Sequence, residues 1–319
     1  VVEDHRPDLR SPWLLAVWPG MGHVAVAAGY YLIARMRMSL LTELNVRPFF
    51  EADHVDVQGG VIQPGHVPRS RLFVWRAPEG QNDVLVLLNE AQPQTGKDRF
   101  CSQVMDLAVS LGVSRVFTLA AMATGMNPES MPRVFGITTT STGLSELEHL
   151  NVPALEDGQI SGLNGLLLAA AMERGLEGPG LLGEIPSVFS QFPFPAASLA
   201  VLRVFRTMAD FPLDFSELQK QSEAMKAQLA KLLLRLQQQM EKESLGDDES
   251  DESGHPEQST ATDVAELEPD EERKIEQLFG ECQTDRSHAY QLKNELDRLG
   301  VFAKYENRFL DLFRTESES

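Results

Sequence analysis

The chain has 319 residues, of which 47 are acidic and 28 basic, giving a formal charge of −19, and 42% are apolar. That length and apolar content allow one large domain or two modest ones, while the charge argues against nucleic acid and anionic lipid as partners, because both require a basic face. Two cysteines, Cys101 and Cys282, are too few for a disulfide framework and point to a reducing compartment, hence a cytoplasmic protein.

Residues 1–10 carry Glu3, Asp4 and Asp8 and no apolar core, so no signal peptide is expected. Ser11 to Ala34 holds 24 residues without Asp, Glu, Lys or Arg, long enough to span a bilayer. Pro19-Gly20-Met21-Gly22 interrupts it, so strand, turn and buried helix explain it better than a membrane span. Leu14–Trp18 reads as a strand covered on both faces, and Val24–Met36 as a buried helix. Further strands are expected at Val46–Phe50, Arg71–Trp75, Val84–Leu88, Arg115–Ala120, Arg133–Thr138 and Gly180–Ile185. Helices are expected at Lys97–Leu111, Thr142–Leu150, Leu163–Arg174 and Ala196–Ala209, with Gly112 and Gly175 as C-terminal caps. This alternation predicts an α/β fold of three layers, with a mainly parallel or mixed sheet between helices.

Near Phe215 the composition changes. Residues 1–215 hold 15 basic and 22 acidic side chains, whereas residues 216–319 hold 13 and 25. We expect an α/β domain over 1–215 and a helical extension over 216–319. Phe215–Ser244 reads as one long helix with an apolar stripe of Leu218, Met225, Leu229, Leu232, Leu236 and Met240. That stripe is a candidate interaction surface, either for a partner or subunit or as a clamp on the α/β body. Residues 246–268 hold nine acids and no Lys or Arg, the pattern of a disordered acidic linker. Helical patterning returns over Asp270–Arg314. Phe302, Tyr305, Phe309 and Phe313 are expected to pack on the body or on a neighbouring subunit, since four wet aromatics are costly.

Several constellations carry possible chemistry. Gly20-Met21-Gly22 follows a strand and opens a helix, as in a dinucleotide fingerprint, and Glu51 stands where a ribose-binding acid would. The interval to Glu51 exceeds the usual ~20 residues and Pro19 is atypical, so a tight packing turn is the reading adopted and no cofactor is expected. Gly20, Gly22, Ser161 and Gly162 together form a candidate anion site, because free N–H groups at helix starts attract oxyanions; close packing is the competing reason for these glycines. Glu90, Gln92, Asn164 and Glu184 fall at predicted strand ends or helix starts and form a candidate ligand pocket. Glu90 and Glu184 would make an acid/base pair if they shared a crevice, or are simply solvated strand ends. Asp53-His54-Val55-Asp56 matches no zinc pattern, and Gly96-Lys97-Asp98 lacks the Ser or Thr of a phosphate-binding loop, so neither a metal nor a catalytic residue is assigned.

Trp18-Pro19-Gly20-Met21-Gly22, Asn89-Glu90-Ala91-Gln92-Pro93 and Ile160-Ser161-Gly162-Leu163-Asn164-Gly165 occur in series with Phe192-Pro193-Phe194-Pro195-Ala196-Ala197, Leu213-Asp214-Phe215 and Glu306-Asn307-Arg308-Phe309-Leu310. This series resembles the proteasome assembly chaperone family, in its bacterial and archaeal branch. The resemblance implies a nucleoside-phosphorylase-like α/β fold and homo-oligomers, and its eukaryotic members assist proteasome assembly by binding ring subunits. The chain ends Thr315-Glu316-Ser317-Glu318-Ser319, not in the hydrophobic-Tyr-any tail of some such chaperones. The expectation is a non-enzymatic protein-binding factor, a homo-oligomer with an unidentified protein partner. The alternative is an enzyme acting on a nucleoside or another small metabolite through a pocket at the strand ends.

Overall fold

The computed structural model describes residues 8–51, 55–63, 65, 67–156, 158–160, 162–228, 231 and 267–314. Ser161, Leu229, Leu232, Leu236, Met240, Asp53, His54 and nearly all of the acidic segment lie outside them. The chain divides into two compact units, one built from residues up to Ser222 together with those from Phe313 onward, the other from Glu223–Leu312.

The first unit is built on a seven-stranded mixed sheet. Its strands are β1 (Trp13–Val17), β2 (Ser39–Leu44), β5 (Ser70–Trp75), β6 (Val84–Asn89), β7 (Arg115–Thr124), β8 (Val134–Thr138) and β9 (Pro179–Pro186), in the order β2-β5-β6-β1-β7-β9-β8. β3 (Asp56–Gln58) and β4 (Val61–Gln63) form a separate hairpin. β1 lies between β6 and β7, parallel to both, and β9 runs parallel beside β7. β5, β2 and β8 pair antiparallel. The central strands are buried along nearly their whole length, which explains their continuous apolar runs.

Strand alternation assigns the two faces. Leu14, Ala16 and Trp18 join Leu85, Leu87 and Val116 in one core with Phe100, Val104 and Met105 of α2 (Lys97–Ser110) and Leu163, Leu167 and Leu168 of α4 (Leu163–Glu173). The opposite face carries α1 (Val24–Arg35) and α5 (Pro195–Ala209). Phe117 packs edge-on to Phe205 of α5 with centroids 4.9 Å apart. Gly29 of α1 presses on β1 so closely that a Cβ there would stand 2.6 Å from Val17 Cγ2. α3 (Ser141–His149) is capped by Thr140, whose hydroxyl accepts from Gly143 N–H at 3.1 Å. At the β8 edge Gly136 donates to Pro153 O and accepts from Leu155 N–H, both at 2.9 Å, and at the β2 edge Leu40 N–H donates to Phe313 O at 2.7 Å.

One local expectation is corrected, and two features are new. Val46–Phe50 is no strand: Arg47–Phe49 is a single 3-10 turn with Pro48 inside it. Proline lacks the N–H a ladder needs, so Val46 and Phe49 are buried from a turn instead. β2 and the β3–β4 hairpin were not foreseen: β2 is half-exposed or exposed along its length, and Val57, Val61 and Ile62 of the hairpin are exposed.

Helix α6 (residues 216–228) follows α5. Its start is fastened to α1 by Tyr31, whose hydroxyl donates to Asp214 O and whose ring stacks on Phe215, and by Arg35, which pairs with Asp214 and Glu217 at 3.2 and 3.4 Å. The second unit contains α7 (Pro269–Thr284), α8 (Ala289–Arg298) and α9 (Phe302–Asp311). It buries Ile275, Leu278, Phe279, Leu292, Leu296, Phe309 and Leu310. Of the four terminal aromatics, Tyr305 lies on Phe279 and Phe302 on Phe309, while Phe313 meets Phe73 of β5 in the first unit. Among the described residues no helix is long and apolar enough to cross a membrane.

Candidate functional site

The sequence candidates fall into two groups at the carboxyl ends of the strands. The first gathers around the end of β1. Asn89, buried at the end of β6, donates through Nδ2 to Val17 O at 3.0 Å and fixes the two strand ends together. Three residues on, Gln92 Nε2 donates to Pro19 O at 2.9 Å. Its Oε1 faces the start of α4, 3.5 Å from where a Cβ on Gly162 would stand. Gln92, the Pro19–Gly20 turn and Gly162 therefore meet at one corner, and Asn164 follows in the first turn of α4.

The two glycines of that turn differ. Gly22 has φ +61°, is buried against Ile185, donates to Ser190 O and accepts from Phe194 N–H. It serves conformation and packing. Gly20 is extended, with φ −167°, and a Cβ added there would meet nothing within 4 Å.

Glu90 stands beside this corner but is engaged. Its Oε2 accepts from Arg69 N–H at 2.9 Å, and its Oε1 lies 3.1 Å from Arg71 Nη1. Arg71, the second residue of β5 and 1% exposed, reaches Glu43 on its other side at 3.3 Å, and Arg314 joins Glu43 at 3.2 Å. Burial pushes the Glu43 carboxyl up, but the hydrogen bonds from Arg71 and Arg314 and the nearby positive charges outweigh it and leave it below the usual range.

Glu184 belongs to a second place. Glu90 and Glu184 stand on strands three spacings apart, about 14 Å at the usual strand separation. Glu184 is 2% exposed and receives a forked pair from Arg133, Nε at 2.9 Å and Nη2 at 2.7 Å, plus the Thr124 hydroxyl at 2.8 Å. The Arg133 hydrogen bonds, against the opposing effect of burial, hold its carboxyl down at about 2. It lines an open hollow of about 390 Å³ with Thr124, Asn127, Ser130, Met131 and Arg133. The structure thus does not bring the two carboxylates together, and each is paired with an arginine.

Of the helical stripe, Leu218 is buried in the first unit and Met225 is half-buried. Among the described residues no three His, Cys, Asp or Glu side chains gather in a metal-binding group. Burial pushes the Cys101 thiol up to about 12 and the Cys282 thiol to about 11, which leaves neither a nucleophile at neutral pH. Sequence reasoning missed Arg71, Arg133 and Trp18. An arginine inside an otherwise apolar strand was the available signal for the first.

Comparison with known proteins adds a family and a fold. A family model described as the PAC2 family matches residues 14–233. Among solved structures, the chain is similar to Pyrococcus furiosus PbaB, an archaeal proteasome activator, at 22% identity and a TM-score of 0.61, covering 71% of this chain and 95% of that one. A proteasome-assembly chaperone homologue of Mycobacterium tuberculosis matches at 19% identity and a TM-score of 0.60, covering 69% of this chain and 94% of that one. A PAC2 family protein from Streptomyces avermitilis matches at 23% identity and a TM-score of 0.59, covering 69% and 95%. At these identities the likeness is one of fold. Among curated proteins the comparison finds no match.

Proposed function

The chain belongs to the PAC2 family, and from that premise we propose that it is a non-enzymatic, protein-binding assembly factor that works in the cytoplasm as a homo-oligomer. The observation that carries this reading is the family itself, whose fold is shared with an archaeal proteasome activator and with a proteasome-assembly chaperone homologue. A proteasome subunit or ring is accordingly the partner to test first. The strand-end chemistry supports the same reading over a hydrolase or transferase. General acid/base work needs titratable groups within reach of one reacting atom, and Glu90 and Glu184 are apart and each held by an arginine.

The surface at this end of the sheet also suits protein recognition. Met131, Val188 and Phe192 are 65, 73 and 60% exposed. Ser187, next to Val188, donates to Thr124 O at 2.9 Å, which sets this loop beside the hollow. Exposed apolar side chains beside a polar hollow supply the two components, apolar core and polar rim, that interfaces combine.

Light scattering on the full chain should give a mass that is a multiple of the protomer. Affinity capture with purified proteasome subunits should retain them, and Val188→Asp with Phe192→Asp should release them without a change in melting temperature. A monomer that captures no proteasome subunit would overturn the proposal.

A further inference from the structure

We propose that Phe313 and Arg314 form a clasp that fastens the returning end of the chain to the β2 edge and opens locally as salt rises, while both units stay folded. The helical unit ends at Leu312, just after α9, and Phe313 already belongs to the sheet unit. The chain thus leaves the sheet unit for the helical one and comes back to it. These two side chains secure the return.

Phe313 is the buried half. It is 0% exposed, and its ring meets Phe73 edge-on with centroids 6.3 Å apart. Its carbonyl accepts from Leu40 N–H at 2.7 Å. Leu40 and Phe73 stand opposite each other across β2 and β5, so ring and backbone dock on a single rung. The register of β2 shifts just past that rung, between Leu40 and Thr42. Such an irregularity interrupts the ladder, so this rung can open without carrying residues 42–44 with it.

Arg314 is the exposed half. Its Nη2 lies 3.2 Å from Glu43 Oε1, and the two side chains are 52 and 35% exposed. The same oxygen lies 3.3 Å from Arg71 Nε and 3.9 Å from Arg69 Nη1, and Arg71 also pairs with Glu90. Three guanidinium groups therefore face two carboxylates. When Arg314 withdraws, Glu43 keeps two arginines. An exposed pair of this kind is weakened by water and by salt.

The two halves do different work. Burial of the Phe313 ring keeps the clasp closed in most molecules. Arg314 sets how readily it opens at a given ionic strength. Opening costs the helical unit little, because its helices have their own ring pairs, Tyr305 on Phe279 and Phe302 on Phe309, and their own ion pairs at Glu295 and Glu276. Motions of this size are local openings, and amide exchange reports them one hydrogen bond at a time.

The test is native-state hydrogen exchange of the full chain, followed at the Leu40 amide in low and in high sodium chloride. The proposal expects Leu40 to exchange severalfold faster in high salt while the amides of β1 and β6 keep their rates. At low salt, Arg314→Gln should speed Leu40 exchange severalfold and remove its salt dependence. Phe313→Ala should speed it by about tenfold or more, through the lost burial. In both variants the amides of α7 to α9 should keep their wild-type protection. A Leu40 amide as slow as those of β1 and β6 at every salt concentration would overturn the proposal. So would salt dependence that survives in Arg314→Gln, or protection lost across α7 to α9 together with Leu40 in Phe313→Ala. None of these outcomes bears on the assembly reading, which stands on the family and the apolar rim.

Discussion

Aromatic rings in the sheet unit pack on one another. Trp13, Phe117, Phe205 and Phe211 form a continuous run, with centroids 4.9 to 5.6 Å apart. In the helical unit the ring pairs carry closer cations: Arg308 lies 3.9 Å from Phe279 and Lys293 4.3 Å from Phe302, against 4.9 and 5.3 Å for Arg115 at Trp13 and Phe117 in the sheet unit. The same helices are laced by ion pairs, with Glu295 between Lys274 and Arg298, both at 2.9 Å, and Arg308 forked onto Glu276. The difference follows from size. A short helical unit encloses few residues completely, so the stems and heads of basic side chains finish its core. Its stability should therefore be more sensitive to salt than that of the sheet.

The largest effect separates the two cores. Phe117→Ala should destabilise the sheet unit by about 4 kcal/mol, through lost burial and the cavity left behind. Phe309→Ala should act locally, raising hydrogen exchange in α7 to α9 and leaving β1, β6 and β7 protected. Equal loss of protection in both units would refute their separate cohesion.

A smaller effect lies at Glu184. Its carboxyl is held down at about 2 in the folded chain, against 4.5 for the ordinary group. Depressed in the fold, it contributes stability that is fully present above pH 4.5 and is lost as pH falls from there toward 2. The contribution is about 2 kcal/mol after allowing for the exposure of Arg133. Glu184→Gln should flatten that part of the acid-unfolding curve, and a wild-type slope retained in the variant would exclude the assignment.

The smallest effect belongs to the surface of the helical unit. Glu276→Gln should lower stability by about 0.5 kcal/mol at low salt and by less in concentrated salt, as for exposed pairs. A double-mutant cycle with Arg308→Gln measures the coupling directly; zero coupling at low salt would show that the cation over Phe279 acts through packing alone.

Much of the fold was legible because burial on both faces leaves uninterrupted apolar runs, as in β1 and β6. Gly112 and Gly175 marked helix ends because they adopt φ near +70°. β2 was illegible for the converse reason: an edge strand with half-exposed side chains carries no such run. At the candidate site the residue types were readable and their partners were not. Nothing local ties Gln92 to Pro19, 73 positions earlier, or Glu184 to Arg133, 51 positions earlier. Separation of the two carboxylates depends on strand order, and a strand's place in a sheet is not written in its own residues.

The hydrogen bonds that Pro153, Leu155 and Phe313 make with the outer strands have a further consequence. Outward backbone groups of Gly136 on β8 and Leu40 on β2 are already in use, so a foreign extended peptide finds its template interrupted at those positions. Such interruptions work against strand-on-strand addition, the first step of fibre-like stacking.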